Sequence, residues 1–272
     1  MPPQIHLIRH AQGYHNLCVA NHSMPDPTLT PLGEQQCRDL SQSFPALSSI
    51  DLIVASPIKR TLYTALLTFR PLLEQHKNLK IIALPWLQEI SDLPCDTGSP
   101  LAELQREFSD QPVDLSLVTP GWHEKTGIYA PTAENIMARA RAARRFLLAR
   151  EERSIAVVTH GGMLHYLTKD WSDHAKFTGT GWANCEFRSY AFDDATPESI
   201  DNATLIETPE SRQRRKGREI PLTEAEQTNL MEAAQRTWEE AGFLQREGGE
   251  EKLIGEVVKV EVQNDCPVKV AV

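Results

Sequence analysis

The chain has 272 residues, 40% of them hydrophobic and 24% charged, with 37 acidic side chains against 28 lysines and arginines and a formal net charge of −9. This is the size and composition of one large globular domain, or of one domain with an appendage. The acidic balance excludes wholesale nucleic-acid binding, and the absence of an apolar run near the ~20 residues of a membrane span gives no reason to expect a membrane protein.

Ile5, Leu7 and Ile8 predict a short first strand that follows directly on Met1-Pro2-Pro3, with no signal peptide expected before it. Arg9 and His10 close the strand, Gly13 breaks it, and a helical stretch is expected near residues 14–20. A buried strand that ends in charged groups and a Gly turn is a common way to set reactive side chains at a sheet edge. Arg9 can grip two phosphoryl oxygens with its fork, and a neutral His10 can attack phosphorus. Taken alone, an Arg-His pair is more often just a strand ending in water.

Residues 21–29 read as a loop. Thr30 is placed as a helix cap with Pro31 at the first helical position, for a helix to about Ser43 with Leu32, Cys37 and Leu40 inward. Residues 51–55 form an apolar second strand of the doubly covered kind. Ser56 then opens a long helix towards Phe69, with Arg60 on its first turn, where a guanidinium and a helix N-terminus both favour an anion. Residues 80–84 make a third strand, followed by Glu89, Asp92 and Asp96. Any of these carboxyls could protonate a leaving oxygen if burial or like charge raised its pKa, and at least one is expected on the loop surface.

A helix is expected from Ser99-Pro100 to about Phe108, then a loop over residues 111–131. Thr132 caps a helix over residues 133–149, with Glu134 in its first turn and Arg139, Arg141, Arg144 and Arg145 read as a solvated face. Residues 154–159 predict a fourth strand ending in His160-Gly161-Gly162, followed by a helix over 163–169 and a fifth strand over 185–192. From Asp193 the character changes. Residues 196–209 read as loop or edge strand, and the basic run 211–218 as an exposed loop with a weak nuclear-address reading. Thr223 and Glu226 form a capping box for a helix to about Ala241, and Val258, Val260 and Val262 alternate as one half-buried strand. The five cysteines, Cys18, Cys37, Cys95, Cys185 and Cys266, are scattered without Cys-x-x-Cys spacing, as expected of reduced thiols in a cytosol and not of a disulfide framework or zinc site.

Strands alternating with helices predict an α/β, three-layer sandwich with a mostly parallel central sheet over residues 1–193, plus a C-terminal extension over 194–272. Arg9-His10, Arg60, Glu89 and His160 all follow apolar strands, and open α/β sheets bind ligands at that carboxyl edge.

The string Arg9-His10-Ala11-Gln12-Gly13-Tyr14-His15-Asn16 resembles the Arg-His-Gly signature of the histidine phosphatase superfamily, the phosphoglycerate mutase-like proteins, with Ala11 standing where Gly is usual. Its Arg-His-x-Gln-Gly-x-His-Asn form is similar to a fungal and plant subgroup. Leu29-Thr30 with Gly33, the set Ser56, Arg60, Thr64 and Ala65, and Val157-Val158-Thr159-His160-Gly161-Gly162 match further elements of that family, and the resemblance covers about residues 4–192. It implies a metal-independent phosphomonoester hydrolase without cofactor, acting on a small-molecule phosphate ester through a phosphohistidine on His10. Arg9, Arg60, His160 and Asn16 would hold the phosphoryl oxygens. Glu89, or failing it Asp92 or Asp96, would donate the proton, and Glu134 would help shape the pocket. A phosphoglycerate-type mutase, a phosphatase dedicated to one biosynthetic route and a non-catalytic binding module remain the alternatives. A cytoplasmic or nuclear setting is expected, and oligomeric state is left open. Residues 91–99 and 111–131 are the stretches most apt to overhang the pocket, where Lys125 is the one Lys or Arg. Trp122, Tyr129 and Trp182 offer flat apolar area, which suits a bulky, weakly charged leaving group.

Overall fold

The computed structural model describes residues 2–175 and 180–246. Its strands are β1 (Gln4–Arg9), β2 (Leu52–Ala55), β3 (Ile81–Ala83), β4 (Val113–Asp114), β5 (Ser154–Thr159), β6 (Phe187–Phe192) and β7 (Leu205–Glu207). They form one seven-stranded sheet in the order β4-β3-β2-β5-β1-β6-β7. The first five in that order run parallel, and β6 and β7 add an antiparallel edge. Helices α1 (Pro31–Ser43), α2 (Lys59–Thr68), α3 (Arg70–Gln75), α4 (Pro94–Thr97) and α5 (Leu101–Glu107) precede β4. After it come α6 (Ala133–Leu148), α7 (Gly161–Thr168), α8 (Pro197–Asn202), α9 (Pro209–Lys216) and α10 (Glu224–Glu240).

The apolar strands explain the layering. Side chains alternate across a strand, so a strand apolar at every position needs cover on both faces. Ile5, Leu7, Leu52, Val54, Ile155 and Val157 enter one core with α6, α7 and α10. Their neighbours Ile8, Ile53, Ala55, Ala156 and Val158 enter a second core with α1, α2, α3 and α5. Each Val, Leu or Ile among them, fully buried, stabilises the fold by about 1.5–3 kcal/mol. Ala234, Trp238 and Leu244 from beyond β7 belong to the first of these cores.

Several elements differ from the expectation. Two 3-10 turns, Tyr14–Asn16 and Val19–Ser23, replace the early helix. The helix opened by Ser56 ends at Thr68, and α3 starts afresh with Pro71 in its first turn, since that proline has no N–H to continue the ladder. In α1, Cys37 and Leu40 face inward, but Leu32 is 55% exposed, and Gly33 takes the inward place. A Cβ on Gly33 would stand 2.1 Å from the Gln12 carbonyl oxygen, so only glycine lets α1 close on the loop after His10. The 111–131 stretch contains β4 and a 3-10 turn at Gly127–Tyr129. The basic run falls in α9 instead of a loop, because Thr208 caps the Ser211 amide and Pro209 is preset for the first helical position. Residues 196–209 do contain the edge strand β7, and α8 before it. The Val258–Val262 alternation lies outside the described residues.

The arginines of α6 are the largest correction. Arg141 and Arg145 are on the surface near Asp201, but Arg139 and Arg144 are 2% and 4% exposed. They flank the stripe Ile136, Ala140, Ala143 and Leu147 and end on main-chain carbonyls, Arg139 on Gln88 and Arg144 on Tyr166. No helix of the described residues is long and apolar enough to cross a membrane.

Candidate active site

β1 and β5 are neighbours in register, with Arg9 opposite Thr159, so the residues that follow them, His10 and His160, emerge side by side at the carboxyl edge. Their rings lie 5.2 Å apart between centroids, and His15 lies 5.3 Å from His10 on another side. Arg9, His10, Arg60 and His160 are 4%, 1%, 1% and 0% exposed.

His10 Nδ1 sits 2.7 Å from the Ala11 carbonyl oxygen, which can only accept, so Nδ1 carries the proton and Nε2 holds the lone pair. Arg60 agrees with this assignment, because its Nε–H donates to His10 Nε2 at 3.3 Å. Burial, then Arg60 and Arg9, holds His10 well below the ordinary imidazole range. The ring is therefore neutral at physiological pH, which a nucleophilic nitrogen needs. His160 and His15 are held low in the same way, burial first and Arg60 next. The Ser56 hydroxyl fixes His160 through Nε2 at 2.9 Å, and the buried Nδ1 of both His160 and His15 lacks a protein partner.

The two arginines are seated differently. Arg60 Nη1 donates to the Cys95 carbonyl at 2.5 Å, and Nη2 pairs with Asp96 at 2.8 Å. Asp96 also accepts from Ser91 Oγ at 2.6 Å and from the Cys95 thiol. Arg9 Nη1 donates to the Trp182 carbonyl, and its buried Nε has no protein partner. Thr64 explains the spacing from Arg60: its hydroxyl donates to the Arg60 carbonyl at 2.7 Å and accepts from the Ala11 amide at 3.0 Å, tying α2 to the loop after His10. The methyl of Ala11 is fully buried with Leu29 and Cys37, so the loop accommodates it.

Glu89 follows the 3-10 turn Pro85–Leu87 and seats its carboxylate on the N-terminus of α7, the helix that His160 begins. Oε1 accepts from the Met163 amide at 3.0 Å, and Oε2 from the Gly162 amide at 3.2 Å. Gly162 is required there, since a Cβ would meet Glu89 Oε1 at 2.7 Å. Helix amides lower a carboxyl pKa. In this case burial, reinforced by Asp96, outweighs them and raises Glu89 above the usual carboxylate range.

The remaining expected residues fall elsewhere. Asp92 is exposed and accepts from Gln245 at 3.0 Å. Glu134 is exposed in the first turn of α6. Asn16 uses its Oδ1 to accept from the Gly13 amide at 3.0 Å, shaping the turn after His10. Trp122 and Trp182 are both 0% exposed: Trp122 donates to the Ser99 carbonyl, and Trp182 carries the Arg188 guanidinium 3.6 Å over its ring. They are core residues, so the flat apolar surface expected of them is absent; Tyr129 is half-buried.

Reading the sequence alone left three contributors without a role. His15 lay inside the signature string, and its position was the available signal. Asn184 donates to the His10 carbonyl at 3.0 Å from 174 positions away, for which no local signal exists. Lys125, 6% exposed, donates to the main-chain carbonyl of Glu89 at 2.8 Å, and burial together with Arg139 lowers it to about 7. No group of His, Cys, Asp and Glu that could hold a metal occurs among the described residues.

The chain belongs to the histidine phosphatase superfamily, branch 1, whose family model matches residues 5–201. Among relatives of this superfamily, a phosphoglycerate mutase-like protein of Arabidopsis thaliana is 27% identical over 248 residues, covering 75% of this chain and 90% of its own length. A "probable phosphatase" of Schizosaccharomyces pombe is 30% identical over 159 residues, covering 58% of this chain and 73% of its own. A phosphoserine phosphatase from Entamoeba histolytica, solved with phosphoserine as a His-to-Ala mutant, aligns over 76% of this chain and 95% of its own at 17% identity and a TM-score of 0.46.

Proposed function

We propose that the protein is a metal-independent phosphomonoester hydrolase that works through a phosphohistidine on His10. The observation that carries this reading is the fixed tautomer of His10: Nδ1 is held by the Ala11 carbonyl, so the Nε2 lone pair points into a group of buried cations and histidines. In the first step Nε2 attacks phosphorus and the bond to the leaving oxygen breaks. Arg9, Arg60, His160 and His15 hold the equatorial oxygens as charge spreads over them. Glu89 gives its proton to the leaving alcohol, then as carboxylate takes one from the water that attacks the phosphohistidine. The N–P electron pair returns to Nε2.

Glu89 is preferred as donor because its raised pKa keeps it protonated further towards neutrality. Asp96 is committed to Arg60 and Ser91, and Asp92 lies on the surface beside Gln245. Asn16 supports the turn after His10 in this reading, and Glu134 has no role in it. The leaving group is a small organic alcohol, and with Trp122 and Trp182 in the core, recognition of a broad aromatic face loses its support. Residues 194–246 serve as a brace on the catalytic unit.

The test is wild type against His10→Ala on a panel of p-nitrophenyl phosphate, naphthyl phosphate, 3-phosphoglycerate and fructose 2,6-bisphosphate. Hydrolysis of at least one ester, loss of all turnover in His10→Ala with an unchanged circular dichroism spectrum, and an acid-labile, base-stable phosphate on quenched wild type are expected. Turnover that survives in His10→Ala refutes the mechanism. Isomerisation of 3-phosphoglycerate without phosphate release would establish the mutase alternative.

A further inference from the structure

Glu89 is held at two points, and the amides of α7 supply only one of them. Its main-chain carbonyl accepts from Lys125 Nζ at 2.8 Å and, at the outer limit of a hydrogen bond, from Arg139 Nη2 at 3.5 Å. Arg139 Nη1 holds the preceding carbonyl, that of Gln88, at 2.9 Å. The Gln88 side chain returns the contact, its Nε2 donating to the Trp122 carbonyl at 3.0 Å. Residues 88–89 and 122–125 are therefore laced together in both directions, and Gln88, Trp122 and Lys125 are all buried. Lys125 makes its bond from a backbone at φ 53, the left-handed region that a long side chain seldom adopts. An apolar side chain could fill this place without burying a charge in a strained turn. What the ammonium adds is the bond to Glu89 and a positive charge beside it.

We propose that Lys125 is a positioning residue for the proton donor: through the Glu89 carbonyl it fixes the peptide that sets Glu89 against α7, and it places a buried positive charge beside the carboxyl. The effect on turnover rests on the phosphatase reading given above; the hold on Glu89 does not. A proton passes only when donor and leaving oxygen stand about 2.6–3.2 Å apart, so a small shift of the 88–90 peptide removes the transfer. Without Lys125, the Glu89 carbonyl keeps only the 3.5 Å contact from Arg139 among the described residues. The charge acts as well. An ammonium on the carbonyl of a residue lies within about 10 Å of that residue's own carboxyl, roughly the Debye length at 0.1 M salt, and burial leaves it little screened. The other charges around Glu89 are Arg9 of β1, Arg60 of α2, Asp96 of α4 and Arg139 of α6, with His160 kept neutral at the start of α7. Burial and Asp96 hold Glu89 above the ordinary carboxylate range. Removing one neighbouring cation pushes it higher, because the carboxylate loses a partner and the neutral acid does not.

Lys125→Met, which keeps most of the stem, and Lys125→Arg, which keeps the charge, would be compared with wild type in two measurements. One is NMR titration of isotope-labelled glutamate carboxyls, with the Glu89 signal assigned by its loss in Glu89→Gln. The other is kinetics on p-nitrophenyl phosphate and on an accepted alkyl phosphate. In Lys125→Met the Glu89 midpoint should rise by about half a pH unit or more, and Lys125→Arg should bring it back. The kcat of Lys125→Met should fall about tenfold further on the alkyl ester than on p-nitrophenyl phosphate, with KM for both within about twofold of wild type. Should Lys125→Met not fold, Lys125→Gln, neutral and still a donor, is read by the same midpoint. An unmoved Glu89 midpoint overturns the proposal, as does an equal loss on both esters, the mark of a merely structural lysine. A protein whose midpoint moves as expected but which hydrolyses no ester refutes the phosphatase reading and leaves the hold on Glu89 standing.

Discussion

Two sets of buried and half-buried cations in this molecule are held in different ways. Beside β6 and α9, Arg188 bonds Asp170 at 3.3 Å and Glu186 at 2.7 Å, Arg215 bonds Asp170 at 3.0 Å and Glu207 at 2.6 Å, and Lys216 bonds Asp173 at 2.6 Å. At the carboxyl edge of the parallel strands, Arg60 has Asp96, but Arg9, Lys125 and Arg139 end on carbonyl oxygens. Arg188, Arg215 and Lys216 each stand between two carboxylates, which cancel the field of the cation and leave it as a brace, whereas Arg60 has one and keeps its Nε–H on His10. Cations whose hydrogen bonds end on carbonyl dipoles keep more of their positive potential, although Glu89 acts on Arg9, Lys125 and Arg139, and burial lowers Lys125 to about 7. The first set is matched by carboxylates, whereas the second is matched only in part.

The largest expected effect is at Arg60. Arg60→Ala should lower kcat/KM for any accepted phosphate ester by about 10³, the upper range for loss of one preorganised donor, with the fold retained by circular dichroism. A loss under tenfold would show that the second set does not bind the phosphoryl group.

Glu89→Gln should follow, with a fall of about 10² on alkyl phosphates and little change on p-nitrophenyl phosphate, whose leaving group scarcely needs a proton. The wild-type rate on alkyl phosphates should also decline as pH rises through the elevated Glu89 pKa, because the donor is then deprotonated. An Asp92→Asn or Asp96→Asn variant that gives this leaving-group pattern in its place would move the donor.

Asp170→Asn tests the braced set. It removes the charge shared by Arg188 and Arg215, at a cost on the order of 3 kcal/mol, which for a chain of this size lowers Tm by about 6–12 °C. Specific activity at 25 °C should stay within about twofold of wild type. Loss of activity without loss of Tm would mean the two sets are not separable.

Acid should act on the buried histidines and on Asp170 in different pH windows. His10, His15 and His160 are kept neutral, with folded pKa values below the unfolded 6.5, and His6 and His165 are lowered to about 4. The unfolded chain therefore binds more protons below pH 6.5, so stability falls as pH drops from there, by on the order of 1–2 kcal/mol per histidine at pH 5. Asp170 is shifted down instead, so its contribution is present above the unfolded carboxyl pKa of about 3.9 and is lost only below it. Tm measured from pH 7.5 to 5 should fall steadily, and less steeply in His165→Gln. A flat profile would mean that the histidines are not buried neutral.

The smallest expected effect is that of chelation: activity after exhaustive EDTA treatment should be unchanged. Loss of activity with recovery on added zinc or magnesium would require an ion among the carboxylates.

Much of this arrangement is legible in local sequence. The all-apolar strands, the caps Thr30, Thr132 and Thr223, and the His-containing ends of two strands depend on neighbours a few positions away, and each is found where the pattern places it. The buried α6 arginines were also within reach. At 100° per residue, Arg139 and Arg144 flank the stripe of Ile136, Ala140, Ala143 and Leu147, while Arg141 and Arg145 lie opposite it.

Sequence alone therefore determined which strands are covered on both faces, where the capped helices begin, and which edge collects Arg9, His10, Arg60, Glu89 and His160. Backbone geometry and side-chain period are local, so a linear pattern is enough to show them. Only the tertiary structure decided that Asp96 pairs with one nitrogen of Arg60, that Lys125 sits on the Glu89 carbonyl, that Trp122 and Trp182 fill the core, and that Asn184 holds the His10 carbonyl. Burial and pairing depend on which distant segments share a space, and it is these that fix whether a charge is cancelled or left for a ligand.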